Sequence, residues 1–163
     1  MTAVYGDKYS RKELKIMTDD KEIIFREIYK NKVAPIAGFM EMFELIKSKK
    51  ILVAIASNAI RKNVKMILSE LKIYEKFDSI ICGDEVKKGK PDPEMFNETV
   101  DRFNLKKEEC LIFEDSIEGV SAAVNSRVDV VGITSSTSGK TLTNKGCKTT
   151  IDNYLNFEMS IYG

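Results

Sequence analysis

Residues 107–119 read KEECLIFEDSIEG. Four apolar residues, 110–113, run directly into two adjacent carboxylates, Glu114 and Asp115. A short continuous apolar run bounded by polar residues reads as a strand buried on both faces. The next stretch, SIEGVSAAVNS (116–126), has helical spacing. The carboxylates therefore stand at a strand-to-helix junction, and two readings explain them. In the first, Asp115 is an N-cap that forms a capping box with Glu118. That reading leaves Glu114 unexplained. In the second, the pair is a metal site. Like charges at the rim of a buried strand repel unless a cation or protons offset them. Mg²⁺ held by one or two carboxylates and substrate oxygens is a common solution.

The same alternation extends in both directions. Upstream, ILVAIA (51–56) and SIIC (79–82) read as strands, with helices at 60–72 and 93–104. Downstream, VDVVGI (128–133) is a strand, 134–148 is a polar loop, and TTI (149–151) is a last short strand before a helical turn. Near the N-terminus, DKEIIFREIYKNK (20–32) carries Ile23, Ile24 and Ile28 opposite a charged face, Pro35 ends that helix, and 38–48 is a second amphipathic helix. Fully apolar strands alternating with helices indicate an α/β fold, a parallel sheet with flanking helices. Ligands of such sheets sit outside the carboxyl ends of the strands.

That rule singles out two further stretches. Ser57-Asn58 follows the first strand, where a hydroxyl and backbone N–H groups can face an anion at a helix N-terminus. Either residue can equally be a plain helix cap. In GKPDP (89–93), Pro91 biases Lys90 to an extended backbone. Asp92 as N-cap and Pro93 at the first helical position stiffen the chain behind it. A lysine presented this way can neutralise a phosphoryl oxygen, although a solvated loop lysine is the ordinary expectation.

Composition narrows the chemistry. The chain has 163 residues, one domain's worth, and 26 basic against 25 acidic side chains. Such balance disfavours nucleic acid and anionic membranes as partners. No apolar run is long enough for a membrane span, and the N-terminus lacks a signal-peptide core. Cys82, Cys110 and Cys147 have no CxxC spacing, and Cys82 and Cys110, each in an apolar run, read as buried reduced thiols of a cytoplasmic protein. With no histidine, Ser-His-Asp or Cys-His catalysis and His-ligated zinc are excluded. Carboxylates, lysine and hydroxyls remain, a set suited to phosphate chemistry with Mg²⁺.

Taken in order, strand-Ser, Lys before Pro, and strand-Glu-Asp resemble the haloacid-dehalogenase-like (HAD) superfamily, in its β-phosphoglucomutase and phosphoglycolate-phosphatase-like branch. IASN (55–58), GKPDP (89–93) and IFEDSIEGVSAA (112–123) resemble its second, third and fourth motifs. FDSIICGDEV (77–86) and APIAGFMEMFELIKSKKI (34–51) resemble the segment between motifs and the linker from cap to core. The resemblance implies a HAD-like Rossmannoid sheet with a partial helical cap at the N-terminus: residues 1–34 as cap remnant and 35–163 as core. It implies Mg²⁺-dependent phosphoryl transfer on a small phosphorylated metabolite. Lys90 and Asp115 would be catalytic, Ser57, Asn58 and Lys90 phosphate-binding, and Glu114 and Asp115 metal ligands.

One departure bears on catalysis. The family's first strand ends in DxD, which supplies the nucleophile and the general acid/base, and this chain contains no DxD. Without it the remaining groups have nothing to form an acyl-phosphate, and Mg²⁺ binding should be weak or absent. In the family that strand lies between those read here as 51–56 and 110–113, so both would be left with unpaired edges. Three expectations follow: a truncated phosphatase or phosphomutase inactive by itself, a non-catalytic phosphate-binding domain, or a fold remnant pairing with another chain, including its own copies, through exposed sheet edges. MTAVY (1–5) is a candidate replacement strand. A receiver domain also pairs acids with a lysine, but its acidic pair belongs near the start of the chain. A smaller departure is NSRVD (125–129), where the family usually has a glycine before its next strand.

Overall fold

The computed structural model describes residues 8–155 and 157. Its helices are α1 (Arg11–Tyr29), α2 (Phe39–Ser48), α3 (Arg61–Glu70), α4 (Glu94–Phe103), α5 (Ile117–Ser126) and α6 (Gly139–Lys145). Its strands are β1 (Ala54–Ser57), β2 (Ser79–Cys82), β3 (Leu111–Glu114), β4 (Asp129–Ile133) and β5 (Thr149–Ile151). Every strand pairing is parallel. Helices intervene because parallel neighbours need a long crossover.

Among the described residues the sheet is in two pieces. β1 pairs with β2, while β3, β4 and β5 form a second sheet in that order. Among the described residues the break falls between β1 and β3. Three features span it. Helix α4 packs on β1, β2 and α5. Rings link Phe39 of α2 to Tyr154 at 5.6 Å and Tyr154 to Phe113 of β3 at 5.5 Å. Backbone ties the last of these segments down, since the Tyr154 N–H donates to the Ala37 carbonyl at 2.8 Å. Each half has its own core. One gathers Phe43, Val64, Leu68, Ile73 and Cys82, and the other Phe96, Val120, Val130, Leu142 and Cys147.

Several expectations shift. β1 begins at Ala54 because Val53 is bound elsewhere: its N–H donates to Asp78 Oδ2 and its carbonyl accepts from the Asp78 N–H, both at 2.8 Å. The stretch 134–148 is not all loop. It contains α6, capped by Ser138, which accepts from the Thr141 N–H at 3.3 Å, and pinned by fully buried Leu142. Helix α1 forms, but Ile23, Ile24 and Ile28 are exposed, and Leu14 is its one buried residue among those described. It attaches through polar contacts instead: Arg26 donates to Asn63 Oδ1 at 2.7 Å. Cys110 is half-buried and not fully enclosed. MTAVY and most of the C-terminal turn lie outside the described residues.

Within NSRVD, Arg127 ends α5 in the left-handed region, at φ 62° and ψ 30°. A Cβ disfavours that conformation and the side chain is exposed. Arg127→Gly is therefore expected to stabilise the fold by about 0.5–1 kcal/mol. Thermal unfolding should show a rise of a few degrees, and a lower midpoint would refute it.

Candidate functional site

The ladders end on the residues of interest. Ser57 pairs with Cys82 as the last step of one sheet, and Glu114 with Gly132 as the last β3–β4 step of the other. Strand geometry thus delivers Ser57-Asn58 and Glu114-Asp115 to carboxyl ends on either side of the break.

Neither Ser57 nor Asn58 caps α3. That helix starts at Arg61, and its first N–H donates to Asp84 Oδ1 at 3.0 Å. The cap thus comes from the loop after β2. Ser57 Oγ accepts the Ala59 N–H at 3.2 Å, and its own proton has no acceptor among the described residues. Asn58 clamps the lysine loop: its Oδ1 accepts the Lys90 N–H at 2.8 Å, and its Nδ2 donates to the Lys90 carbonyl at 3.1 Å. Two glycines make room for it. A Cβ at Gly89 would lie 2.7 Å from Asn58 Oδ1, and one at Gly83 2.3 Å from the Asn58 carbonyl oxygen.

Beyond the clamp, Asp92 Oδ1 accepts the Glu94 N–H at 3.0 Å. The helix begins one residue later than the sequence suggests, with Pro93 at the N-cap. Lys90 then turns inward. Its Nζ forms an ion pair with Glu114 Oε1 and lies 5.0 Å from the centre of the Phe96 ring. Both side chains of the pair are only 9% exposed. Lys90 is therefore not a solvated loop lysine.

The acidic pair divides its work. Glu114 Oε2 accepts the Asp115 N–H and the Ser116 hydroxyl, each at 3.2 Å. The cap of α5 is Ser116, whose Oγ accepts the Gly119 N–H at 3.0 Å, so the expected Asp115–Glu118 capping box is corrected. Glu114 stays the last residue of β3 and pairs with Lys90, and the helix starts after the Ser116 cap. Asp115, freed from capping, is gripped by hydroxyls: Ser135 and Ser136 donate to its Oδ2 at 2.9 and 3.0 Å. A continuous chain of contacts thus runs from Asn58 through Lys90 and Glu114-Asp115 to Ser135-Ser136. The serines were not singled out from sequence, although they follow β4 at the carboxyl end where the same rule applies.

Tyr154 completes the surroundings. Burial foremost, then the charges of Asp115 and Glu114, push its hydroxyl up to about 12. A folded state that keeps this proton while the unfolded chain loses it near 10 is stable below pH 10 and loses stability as pH rises from 10 to 12. Tyr154→Phe should abolish that alkaline loss, about 2 kcal/mol in wild type. Urea titrations at pH 9 and 11.5 check it, and an unchanged alkaline loss in the variant would contradict it.

The donor set does not make a magnesium site unaided. Glu114 is engaged by Lys90, Ser116 and the Asp115 N–H, and Asp115 by two serines. Among the described residues no group of three or more His, Cys, Asp or Glu side chains gathers at one point. Nor is a thiol poised for nucleophilic work: burial raises Cys82, Cys110 and Cys147.

Parallel strands that bring a serine, a lysine and an acidic pair to their carboxyl ends define a Rossmann-like α/β protein with its site at the top of the sheet. The chain belongs to the haloacid dehalogenase-like hydrolase family, whose model matches residues 3–133. It is 34% identical over 130 residues to the phosphorylated carbohydrates phosphatase of Thermotoga maritima, a match covering 78% of this chain and 58% of that one. It is 30% identical over 88 residues to the β-phosphoglucomutase of Bacillus subtilis, covering 54% and 38%. The chain thus spans little more than half the length of these relatives, at most. Among solved structures, a family IA HAD hydrolase from Entamoeba histolytica matches 99% of this chain and 74% of its own, with TM-score 0.89 and 24% identity. The β-phosphoglucomutase of Clostridium difficile matches 95% and 67%, with TM-score 0.80 and 21% identity. Members of the family are generally Mg²⁺-dependent. No helix among the described residues is long and apolar enough to cross a membrane.

Proposed function

We propose that this chain carries the phosphate-gripping half of a phosphatase or phosphomutase centre for a small phosphorylated metabolite, and does not turn over by itself. The carrying observation is the contact chain from Asn58 through Lys90 and Glu114 to Asp115 across two strand ends, with Ser57 next to Asn58 at the end of β1. The Ser57 hydroxyl and the Lys90 ammonium offer donors to a phosphoryl group, and Asn58 fixes where Lys90 departs. No aspartate of this chain stands in a DxD that would take the phosphoryl group. Helix α1 is then the remainder of a cap, and a cytoplasmic setting fits the free thiols.

A non-catalytic phosphate-binding domain is the second reading. It is favoured by the closed Lys90–Glu114 pair, which occupies both a phosphate donor and a metal ligand. Hydrolysis of p-nitrophenyl phosphate with Mg²⁺ tests inactivity: no turnover above buffer is expected. Turnover that survives repurification and vanishes in Asp115→Ala would overturn the claim that this chain alone is inactive. Titration with inorganic phosphate tests the grip itself. Saturable binding lost in Ser57→Ala supports it, and no binding sinks both readings.

A further inference from the structure

We propose that Arg61 and Glu85 form a latch that closes the outer edge of β2 against strand pairing with a second copy of this chain. That edge lies on the side of β2 away from β1, and so away from the break. It does not depend on the chemistry proposed for the strand ends.

Backbone geometry identifies the edge. Along a strand, the N–H and C=O groups of alternate residues face opposite neighbours. Gly83 faces the β1 side, since its N–H donates to the Ala59 carbonyl, just beyond β1, at 3.0 Å. Ser79 and Ile81 share that direction, so Ile80 and Cys82 face outward. Among the described residues no strand pairs with β2 on that side. The outer strand is nevertheless enclosed: Ser79, Ile81 and Cys82 are buried.

The outward groups are also bonded. Arg61 Nη2 donates to the Ile80 carbonyl at 2.7 Å. Glu85 Oε2 accepts the Cys82 N–H, and the Glu85 N–H donates to the Cys82 carbonyl, each at 3.0 Å. Three of the four backbone groups that Ile80 and Cys82 present are thus taken by two residues. Those two residues hold each other: Arg61 Nη2 donates to Glu85 Oε2 at 2.6 Å, and its Nε pairs with Oε1. Tyr74 steadies the guanidinium from the other side, with its Oη 3.4 Å from Nη1. Together they stand in for the neighbouring strand that the edge lacks. Capping of α3 by Asp84 explains the placement of the Arg61 N–H. It explains neither the guanidinium on the Ile80 carbonyl nor the carboxylate on the Cys82 N–H.

The strand specifies what the latch excludes. SIIC (79–82) carries no charge and three apolar side chains, a composition prone to edge-to-edge pairing. A strand meeting its own copy about a two-fold axis finds matching groups on both sides. The net charge of +1 gives two copies little mutual repulsion. β5, the other outer strand among the described residues, has three residues, two of them threonine, and offers less. The latch can open. Arg61 and Glu85 are each 34% exposed, so water takes over their charges when they part. An open cleft of about 440 Å³ lies beside Arg61 and Ile80.

Sedimentation velocity on the full 163-residue chain tests this. Arg61→Met removes the donor to Ile80 and the partner of Glu85, and it keeps the backbone N–H that Asp84 caps. The variant should self-associate at least about tenfold more tightly than wild type. In hydrogen exchange its Ile80 and Cys82 amides should gain protection as concentration rises, while those of wild type do not respond to concentration. Any pairing at the break is common to both chains and cancels in the comparison. Should Arg61→Met fail to fold by circular dichroism, Glu85→Ala is read in the same way, since it frees the Cys82 N–H and Arg61 and removes no helix cap. Unchanged association in a folded variant would overturn the proposal. So would association without protection at Ile80 and Cys82, which puts the contact elsewhere. A wild-type chain whose Ile80 and Cys82 amides already gain protection with concentration would overturn it too, because the edge would then be open.

Discussion

Lys90→Met should lower the unfolding free energy by about 3 kcal/mol, more than loss of an ordinary surface lysine would. The two side chains are each 9% exposed, so neither charge is well hydrated once its partner is gone. Methionine fills the lysine's volume and keeps the contact with Phe96. What it removes is the cation, leaving the Glu114 carboxylate with only the Asp115 N–H and the Ser116 hydroxyl. The double variant Lys90→Met/Glu114→Gln should recover at least half of the loss. Glutamine keeps an acceptor for those two donors without a buried charge. Urea unfolding of wild type, both singles and the double gives the coupling, expected at about 1–3 kcal/mol. If the single effects simply add, the pair is not the element that joins the two halves at their carboxyl ends.

Much of this was legible in the sequence, and the exceptions have physical reasons. Predominantly apolar runs of four to six residues located β1 to β4, because a parallel sheet covered on both faces leaves little alternation to confuse the reading. Helix α6 was hidden because one buried residue, Leu142, carries it, and a single apolar position has no period. The cap at Ser116 was hidden because Asp115 and Ser116 are both good cap residues in adjacent positions, and sequence alone does not choose between them. Ile23, Ile24 and Ile28 gave the right helix, but periodicity does not say what covers an apolar face.

Ser135 and Ser136 show a related limit. Hydroxyl-rich loops are usually read as solvated connections, and nothing local distinguishes Ser135-Ser136 from Thr137-Ser138. The parallel β3–β4 pairing distinguishes them, because it sets the end of β4 beside Asp115. The Asp115 grip is thus written in the register and not in the motif.

Gly119→Ala should destabilise the fold by about 2–3 kcal/mol even though alanine favours a helix interior by about 1 kcal/mol over glycine. A Cβ at Gly119 would stand 2.0 Å from Glu114 Oε2, 2.1 Å from its Cδ and 2.5 Å from Oε1. Gly119 is buried, so the glutamate cannot be displaced without losing its contact with Lys90. The cost is therefore that of opening the ion pair, offset by the gain in helix propensity. Removing the obstacle should reverse the sign. In a Glu114→Ala background the space is free, and Gly119→Ala should then stabilise by about 0.5–1 kcal/mol. Urea unfolding of the four chains checks both signs. A stabilising Gly119→Ala in the wild-type background would show that α5 can shift away from β3, and that Glu114 is not held against it as described. A Gly119→Ala that remains destabilising in the Glu114→Ala background would assign the cost to the helix itself and not to the carboxylate beside it.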